Sequence, residues 1–353
     1  MNKLASCIDF KARRLCSFSH GFHALGRKLS QICLAGVLFL GCVQTAHAAG
    51  EGLDVMGGLP LWPSPDIIGL RPLGMGGAGI AMADGSEALY INPAGLARRK
   101  RNSVLEGAFY FHPGADNRVF NIGIAENETN PILGAGASYS YYTSPREDDG
   151  KTTNITGHIA RLAVAIRSQN KFFVGVTLKY MYMERPFLPI MESVNGDVGF
   201  TWQFHRLFSV SATGYNLIYK GNREEPIAAA LGLSYGYQQP LQIAVDWVMD
   251  FESKGELGHE VRVGAEYTFR EVFTLRLGYH LDLVRDRNPP NPLLEAEESS
   301  GMHFLTAGIG FRYANFGAEI AYRQQLATGK ASENRYLAFS VKIFPRLGGG
   351  RRR

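Results

Sequence analysis

The chain has 353 residues, among them 41 glycines, 16 tyrosines and 21 phenylalanines, a composition that favours an aromatic-rich β protein over a helical one. Its formal charge of +5 comes from the N-terminus: six of the 37 Lys and Arg (Lys3, Lys11, Arg13, Arg14, Arg27, Lys28) precede Ala49 against one acid, Asp9, which leaves 31 charges of each sign beyond it. That balance excludes a nucleic-acid partner, and because all four cysteines (Cys7, Cys16, Cys33, Cys42) share the same stretch, disulfides, thiolate catalysis and Cys-bound metals are excluded from the remainder.

The first 48 residues read as a cleavable signal peptide. An apolar core from Ile32 to Val43 precedes Ala46-His47-Ala48, the small-x-small pattern of a signal-peptidase site. The core is too short to span a bilayer, which takes roughly 20 apolar residues in a helix. A rival lipoprotein site at Leu40-Gly41-Cys42 has Phe39 where leucine is usual, and Arg13-Arg14 lies too far from the apolar core for twin-arginine export. A cysteine-free exported chain suits a bacterial outer-membrane protein, which crosses an oxidising compartment unfolded.

Glu51 to Leu70 is irregular, interrupted by Pro60, Pro63 and Pro65, with Trp62 as an apolar anchor. The organising stretch follows, Arg71 to Arg101: a glycine cluster (Gly74, Gly76, Gly77, Gly79), a small-residue segment containing Asp84, and then Asn92-Pro93-Ala94-Gly95. This motif resembles the N-terminal hatch of FadL-type outer-membrane proteins, the long-chain fatty acid transporters and their PorV-like relatives. The resemblance covers about thirty residues and implies that 49–101 folds as a hatch inside a fourteen-stranded barrel. Gly74 to Gly79 also fits G-x-G-x-x-G, but Pro72 before it and the lack of a second βα unit argue against a dinucleotide site. Small residues instead let a backbone press against a wall, and Asn92-Pro93 initiates a turn.

After Arg101 the pattern alternates with period two. Leu241, Ile243, Val245, Trp247, Met249 and Phe251 alternate with small or polar residues. So do Val261 to Phe269 and Phe273 to Leu281, with Arg262, Glu266, Arg276, His280 and Asp282 on the opposite face. Charges sharing the small-residue face define a barrel with apolar side chains toward lipid and charged ones in the lumen. The pattern predicts fourteen strands, near 102–112, 117–126, 132–143, 154–167, 171–184, 194–204, 206–217, 227–238, 240–251, 258–269, 272–283, 301–314, 315–326 and 334–344.

Short connections at Ser168–Asn170, His205, Gln239, Arg270–Glu271 and Ala314 alternate with longer ones at Ser144–Thr153, Arg185–Ser193, Ile218–Pro226, Glu252–Leu257 and Leu283–Ser300. Such alternation sets periplasmic turns against outer loops. Tyrosines bunched at strand ends (Tyr139, Tyr141, Tyr142; Tyr180, Tyr182; Tyr235, Tyr237; Tyr267 with Phe269) read as an aromatic girdle. The barrel is expected over 102–345. Its last strand, ending at Phe344, looks like a signal for the outer-membrane insertion machinery, and 346–353 is a basic periplasmic tail.

In the lumen, Arg161, Lys179, Arg262, Arg276, Arg312, Arg323 and Lys342 are inward cations, opposed by Asp246, Asp250, Glu266 and Glu319. An arginine fork suits a carboxylate head group, while the near-balance of signs fits a salt-bridge ladder between strands. His280 and Asp282 share a face, but no G-x-S-x-G nucleophile accompanies them. His158, His205, His259 and His303 lack a metal-ligand spacing. Neither an enzyme, a cofactor nor a metal is expected.

The expected function is passive uptake of hydrophobic small molecules such as long-chain fatty acids. The ligand would bind near the hatch and move on when the hatch shifts or through a gap in the wall. The alternative is a PorV-like partner-binding component of a secretion or surface-attachment system, since the longest outer loop offers only Leu293-Leu294 as an apolar pair.

Overall fold

The computed structural model describes residues 69–345 apart from 99–102, 114–115, 131, 149–150, 169–170, 185–189, 219–224, 252–256, 284–301 and 327–334. The signal peptide expected over 1–48, the first part of the hatch and the tail over 346–353 lie outside the described residues.

Alternation becomes fourteen strands: β1 (Ser103–His112), β2 (Asn117–Glu126), β3 (Leu133–Asp148), β4 (Lys151–Arg167), β5 (Phe172–Glu184), β6 (Met191–Trp202), β7 (Phe208–Tyr215), β8 (Ala228–Tyr235), β9 (Leu241–Asp250), β10 (Gly258–Phe269), β11 (Phe273–Asp282), β12 (Met302–Tyr313), β13 (Phe316–Gln325) and β14 (Arg335–Ile343). Each pairs antiparallel with its sequence neighbours, and β1 pairs with β14 through Leu105↔Ile343 to Phe111↔Leu337. Closure leaves no free sheet edge.

Because successive side chains point to opposite faces, the register sorts the chain into an apolar outside and a mixed inside. Leu277 is 68% exposed while Arg262 and Glu266 are 3% and 4% exposed, so the greasy face looks outward as expected. A charge at the centre of that face is costly in a bilayer. Leu277→Arg is therefore expected to lower stability by about 2–4 kcal/mol in lipid vesicles. Urea unfolding measures this, and a change indistinguishable from zero would remove Leu277 from the lipid-facing surface.

The structure corrects the sequence reading at three places. The long loop expected at Ser144–Thr153 is a continuation of β3 and β4, paired from Ser144↔Ile155 out to Asp148↔Lys151. Charged residues and Pro145 masked this extension, although Asp149-Gly150 is a two-residue hairpin signature. Similarly, β6 begins at Met191, inside the loop expected over Arg185–Ser193. Third, Tyr142 and Tyr237 are buried rather than part of the girdle. Adjacent Tyr141 and Tyr142 must take opposite faces, and Tyr237 follows Gly236, whose φ of 78° turns the chain after β8.

Residues 69–98 lie inside the barrel. They form helix α1 (Leu70–Gly74), a 3₁₀ turn (Gly85–Glu87), helix α2 (Ala88–Ile91) and a second 3₁₀ turn (Pro93–Ala97). Leu73, Leu89, Ile91, Leu96 and Ala97 join inward residues of the wall, among them Val104, Ala163 and Phe173, in one apolar core. This lumenal segment is called the plug below.

Candidate functional site

The plug is held by side chains of the wall that satisfy its irregular backbone. Asp246 Oδ2 accepts from the amides of Gly79 (2.6 Å) and Ile80 (2.9 Å). Gly76 N donates to Thr306 Oγ1 at 2.7 Å, and that hydroxyl donates onward to Gly74 O. Ser234 caps Ala81 O, Tyr215 caps Ile91 O, and Asn127 caps Leu96 O. Buried backbone groups need such partners because water cannot reach them.

Asn92 is fully buried, and every polar atom of its amide is used. Its Oδ1 accepts from Ala94 N at 3.1 Å, which caps the second 3₁₀ turn, while Nδ2 donates to Ile80 O and to Thr201 Oγ1, both at 3.0 Å. Pro93 then starts that turn, where a missing N–H costs nothing. Gly76 and Gly77 have φ of 70° and 80°, a conformation only glycine adopts freely. Gly95 lies against Ala83, and Asp84 accepts from the Tyr237 hydroxyl at 3.0 Å.

An ionic chain joins plug to wall at the short-turn end. Arg71 bridges Glu87 of the plug (2.9 Å) and Glu266 of β10 (3.0 Å). Glu266 also pairs with Arg276 (2.6 Å), Arg276 with Glu319 (2.9 Å), and Glu319 with Lys342 (2.8 Å). Ser86 donates to Glu106, whose other oxygen lies 3.5 Å from Lys342. Burial pushes the Glu87 carboxyl above the usual carboxylate range, with Arg71 and Lys342 pulling the other way. A cavity of about 810 Å³ opens beside this chain, among the short turns at Gln239, Glu271 and Ala314. Charges of both signs line it, which suits water and polar groups and disfavours hydrocarbon.

The lumenal cations marked from the sequence meet different partners. Lys179 pairs with Asp197 (2.8 Å), Arg262 with Glu260 (2.5 Å), and Arg276 with two carboxylates. Arg312 stacks over Phe344 at 3.9 Å, and Arg323 over Phe304 at 3.7 Å. Arg161 donates to Ser140 Oγ and lies 5.1 Å over the ring of Tyr90 on the plug, with no ion-pair partner among the described residues. His280 is a strut, 3.0 Å from Glu260 and stacked on Phe304.

Toward the longer connections an apolar cluster fills part of the lumen beside buried polar residues such as Asn117 and Ser144. Tyr110, Val119, Tyr142, Ile155, Ile159, Met181 and Met183 are buried in continuity with Leu89 and Tyr90 of the plug. Strand parity marks Met181, Met183 and the inward acids Glu106, Asp197 and Glu260, all absent from the sequence reading. Nothing local marks Arg71, which meets Glu266 across 195 positions.

A closed, even-stranded antiparallel barrel with an apolar outer band and a filled lumen defines a β-barrel of the outer membrane. No family model matches the chain, and no curated protein matches it. Among solved structures it is similar to the CymD monoaromatic hydrocarbon channel (13% identity, 79% of this chain and 97% of that one, TM-score 0.55). It is similar to a Pseudomonas aeruginosa FadL homologue (12% identity, 78% and 97%, TM-score 0.55) and to the Ralstonia pickettii toluene transporter TbuX (13% identity, 79% and 98%, TM-score 0.54). The fold is that of FadL-type barrels.

Proposed function

We propose that this protein is an outer-membrane conduit for the passive uptake of hydrophobic small molecules, with long-chain fatty acids as the favoured class. The observation that supports the reading is the buried apolar cluster of Tyr142, Ile159, Met181 and Met183, continuous with Leu89 and Tyr90 of the plug, and Arg161 lying over the Tyr90 ring. Methionine side chains are unbranched and repack readily around an apolar guest. An arginine with no ion-pair partner among the described residues is a ready partner for a carboxylate. The similar monoaromatic hydrocarbon channel and toluene transporter support a hydrophobic cargo.

Lipid mass spectrometry on the purified protein tests the reading. A co-purifying fatty acid is expected, reduced roughly tenfold in Arg161→Gln, as loss of one charge-assisted contact predicts. Absence of any apolar guest from both proteins would defeat it. The complete burial of Met181 and Tyr142 favours a second reading, in which the lumen is a fixed scaffold and the protein docks a secreted or surface protein. A complex with such a partner that persists in Arg161→Gln would support that alternative.

A further inference from the structure

β3 and β4 extend past the strands on either side of them, at the end of the barrel that carries the longer connections. β2 pairs with β3 only as far as Arg118↔Thr143, and β5 pairs with β4 only as far as Thr156↔Glu184. The hairpin continues for five more pairs, from Ser144↔Ile155 to Asp148↔Lys151, about 17 Å along each strand at 3.4 Å per residue. Over that length no strand among the described residues pairs with the far edge of either one. The two edges differ in sequence. β3 carries Pro145, Arg146, Glu147 and Asp148 there, and proline and charge are what natural sheets use to blunt an edge. β4 carries Lys151-Thr152-Thr153-Asn154-Ile155, with one charge at the tip, no proline and three β-branched residues. The chain that continues β5, residues 185–189, holds Pro186 and Pro189 and lacks their N–H groups for extending the ladder.

From this asymmetry we infer that the β4 edge over residues 151–155 is a docking site, which takes an extended segment of a secreted or surface protein as an added strand. Strand addition draws its affinity from backbone hydrogen bonds and its specificity from alternate side chains. The one charge on the edge, Lys151, calls for an acid at the matching end of the incoming segment, since opposite charges across a strand pair stabilise it. The ladder calls for a run free of proline. Such a partner arrives from outside the cell, where the longer connections of a barrel lie. A second copy in the same membrane fits less well. Rotation about the membrane normal sets two β4 edges parallel, and parallel ladders are the less stable kind. The inference deepens the docking reading given above by naming its site and the chemistry of its partner, and uptake neither requires nor forbids it.

Panning a phage-displayed library of random dodecapeptides against the full-length protein in lipid nanodiscs tests the docking. Enriched peptides are expected to share a proline-free run of about five residues with alternating β-branched positions and an acid. The leading peptide, made synthetically, is expected to bind about tenfold more weakly when residues 146–153 are replaced by an Asn-Gly turn, which shortens the hairpin and leaves the wall intact. Thr153→Lys/Asn154→Lys, which charges the edge at full length, is expected to show the same loss. At about a hundred times its Kd, the peptide is expected to slow exchange of the open-edge amides in 151–155 about a hundredfold. Docking through side chains alone gives no such protection. No enrichment, binding unchanged in both variants, or binding without slowed exchange would each overturn the inference. Oleate uptake followed on the same proteins reports on the conduit reading separately. If none of them passes oleate, that reading fails, and the peptide result still decides the docking.

Discussion

Gly264→Ala is expected to destabilise the protein by about 3 kcal/mol or more. Gly264 is an inward position of β10, and a methyl there would sit 2.5 Å from Met75 Cβ and closer still to that residue's carbonyl oxygen. Neither atom can step aside. Gly76, the next residue, is fixed by Thr306, and the amides of Gly79 and Ile80 are fixed by Asp246. The extra methyl therefore displaces the plug or bends the strand, and neither relaxes at low cost in a close-packed interior. Urea unfolding in lipid reads the loss, and planar-bilayer recording reads its consequence as ion conductance past an ill-seated plug. Gly107→Ala is the control, since a Cβ at Gly107 meets nothing within 4 Å. Equal stability of the two variants would show that the wall is not fitted to the plug.

Arg276→Met should have an effect of similar size by a different route. Arg276 lies between Glu266 at 2.6 Å and Glu319 at 2.9 Å, and all three are largely buried. Removing the shared cation leaves carboxylates with too little compensation in a poorly solvated place, a change that costs about 3–5 kcal/mol. Lys342 still serves Glu319, and Arg71 still serves Glu266, so the damage is bounded. Adding Glu319→Gln removes one stranded charge and is expected to recover part of the loss, with a coupling of about 0.5–3 kcal/mol in the double-mutant cycle. Urea midpoints for the four proteins supply the cycle. A single-variant cost below ~1 kcal/mol would mean that the chain of ion pairs is a solvated surface feature rather than a fastening.

Much of the barrel was legible because each strand announces itself locally. Alternation in Leu241–Phe251 and Val261–Phe269 places β9 and β10 with their correct faces, and the same parity turns Trp247 outward and Arg262 inward. The reading faltered where a strand carries charges and a proline, as β3 does at Pro145 to Asp148. Cross-strand hydrogen bonding to Lys151–Ile155 outweighs the poor propensity of that stretch. Tyr237 was misplaced for a related reason. Its direction is set by a turn at Gly236 and by Arg98, whose guanidinium lies 3.5 Å from the centre of its ring.

The partners of the lumenal cations were another matter. Arg161 and Arg262 occupy equivalent inward positions in sequence terms, yet Arg262 has Glu260 two residues away while Arg161 faces an aromatic ring of the plug. Asp246 sits opposite Arg262 in the β9–β10 register, and its carboxylate is spent on the plug amides of Gly79 and Ile80. No spacing rule distinguishes those fates.

The amino-acid sequence by itself determined the strand pattern, the outward and inward faces, and a glycine-rich segment ending in Asn92-Pro93-Ala94-Gly95. These depend on side-chain period and local backbone preference, which act over a few residues. Only the tertiary structure decided that Gly134, Gly175, Gly199, Gly232, Gly264, Gly278 and Gly308 lie against the plug, that Arg71 reaches Glu266, and that Arg161 has no ion-pair partner among the described residues. Those facts arise when barrel closure brings strands from across the chain around a single threaded segment, and burial there penalises every unmatched methyl and charge.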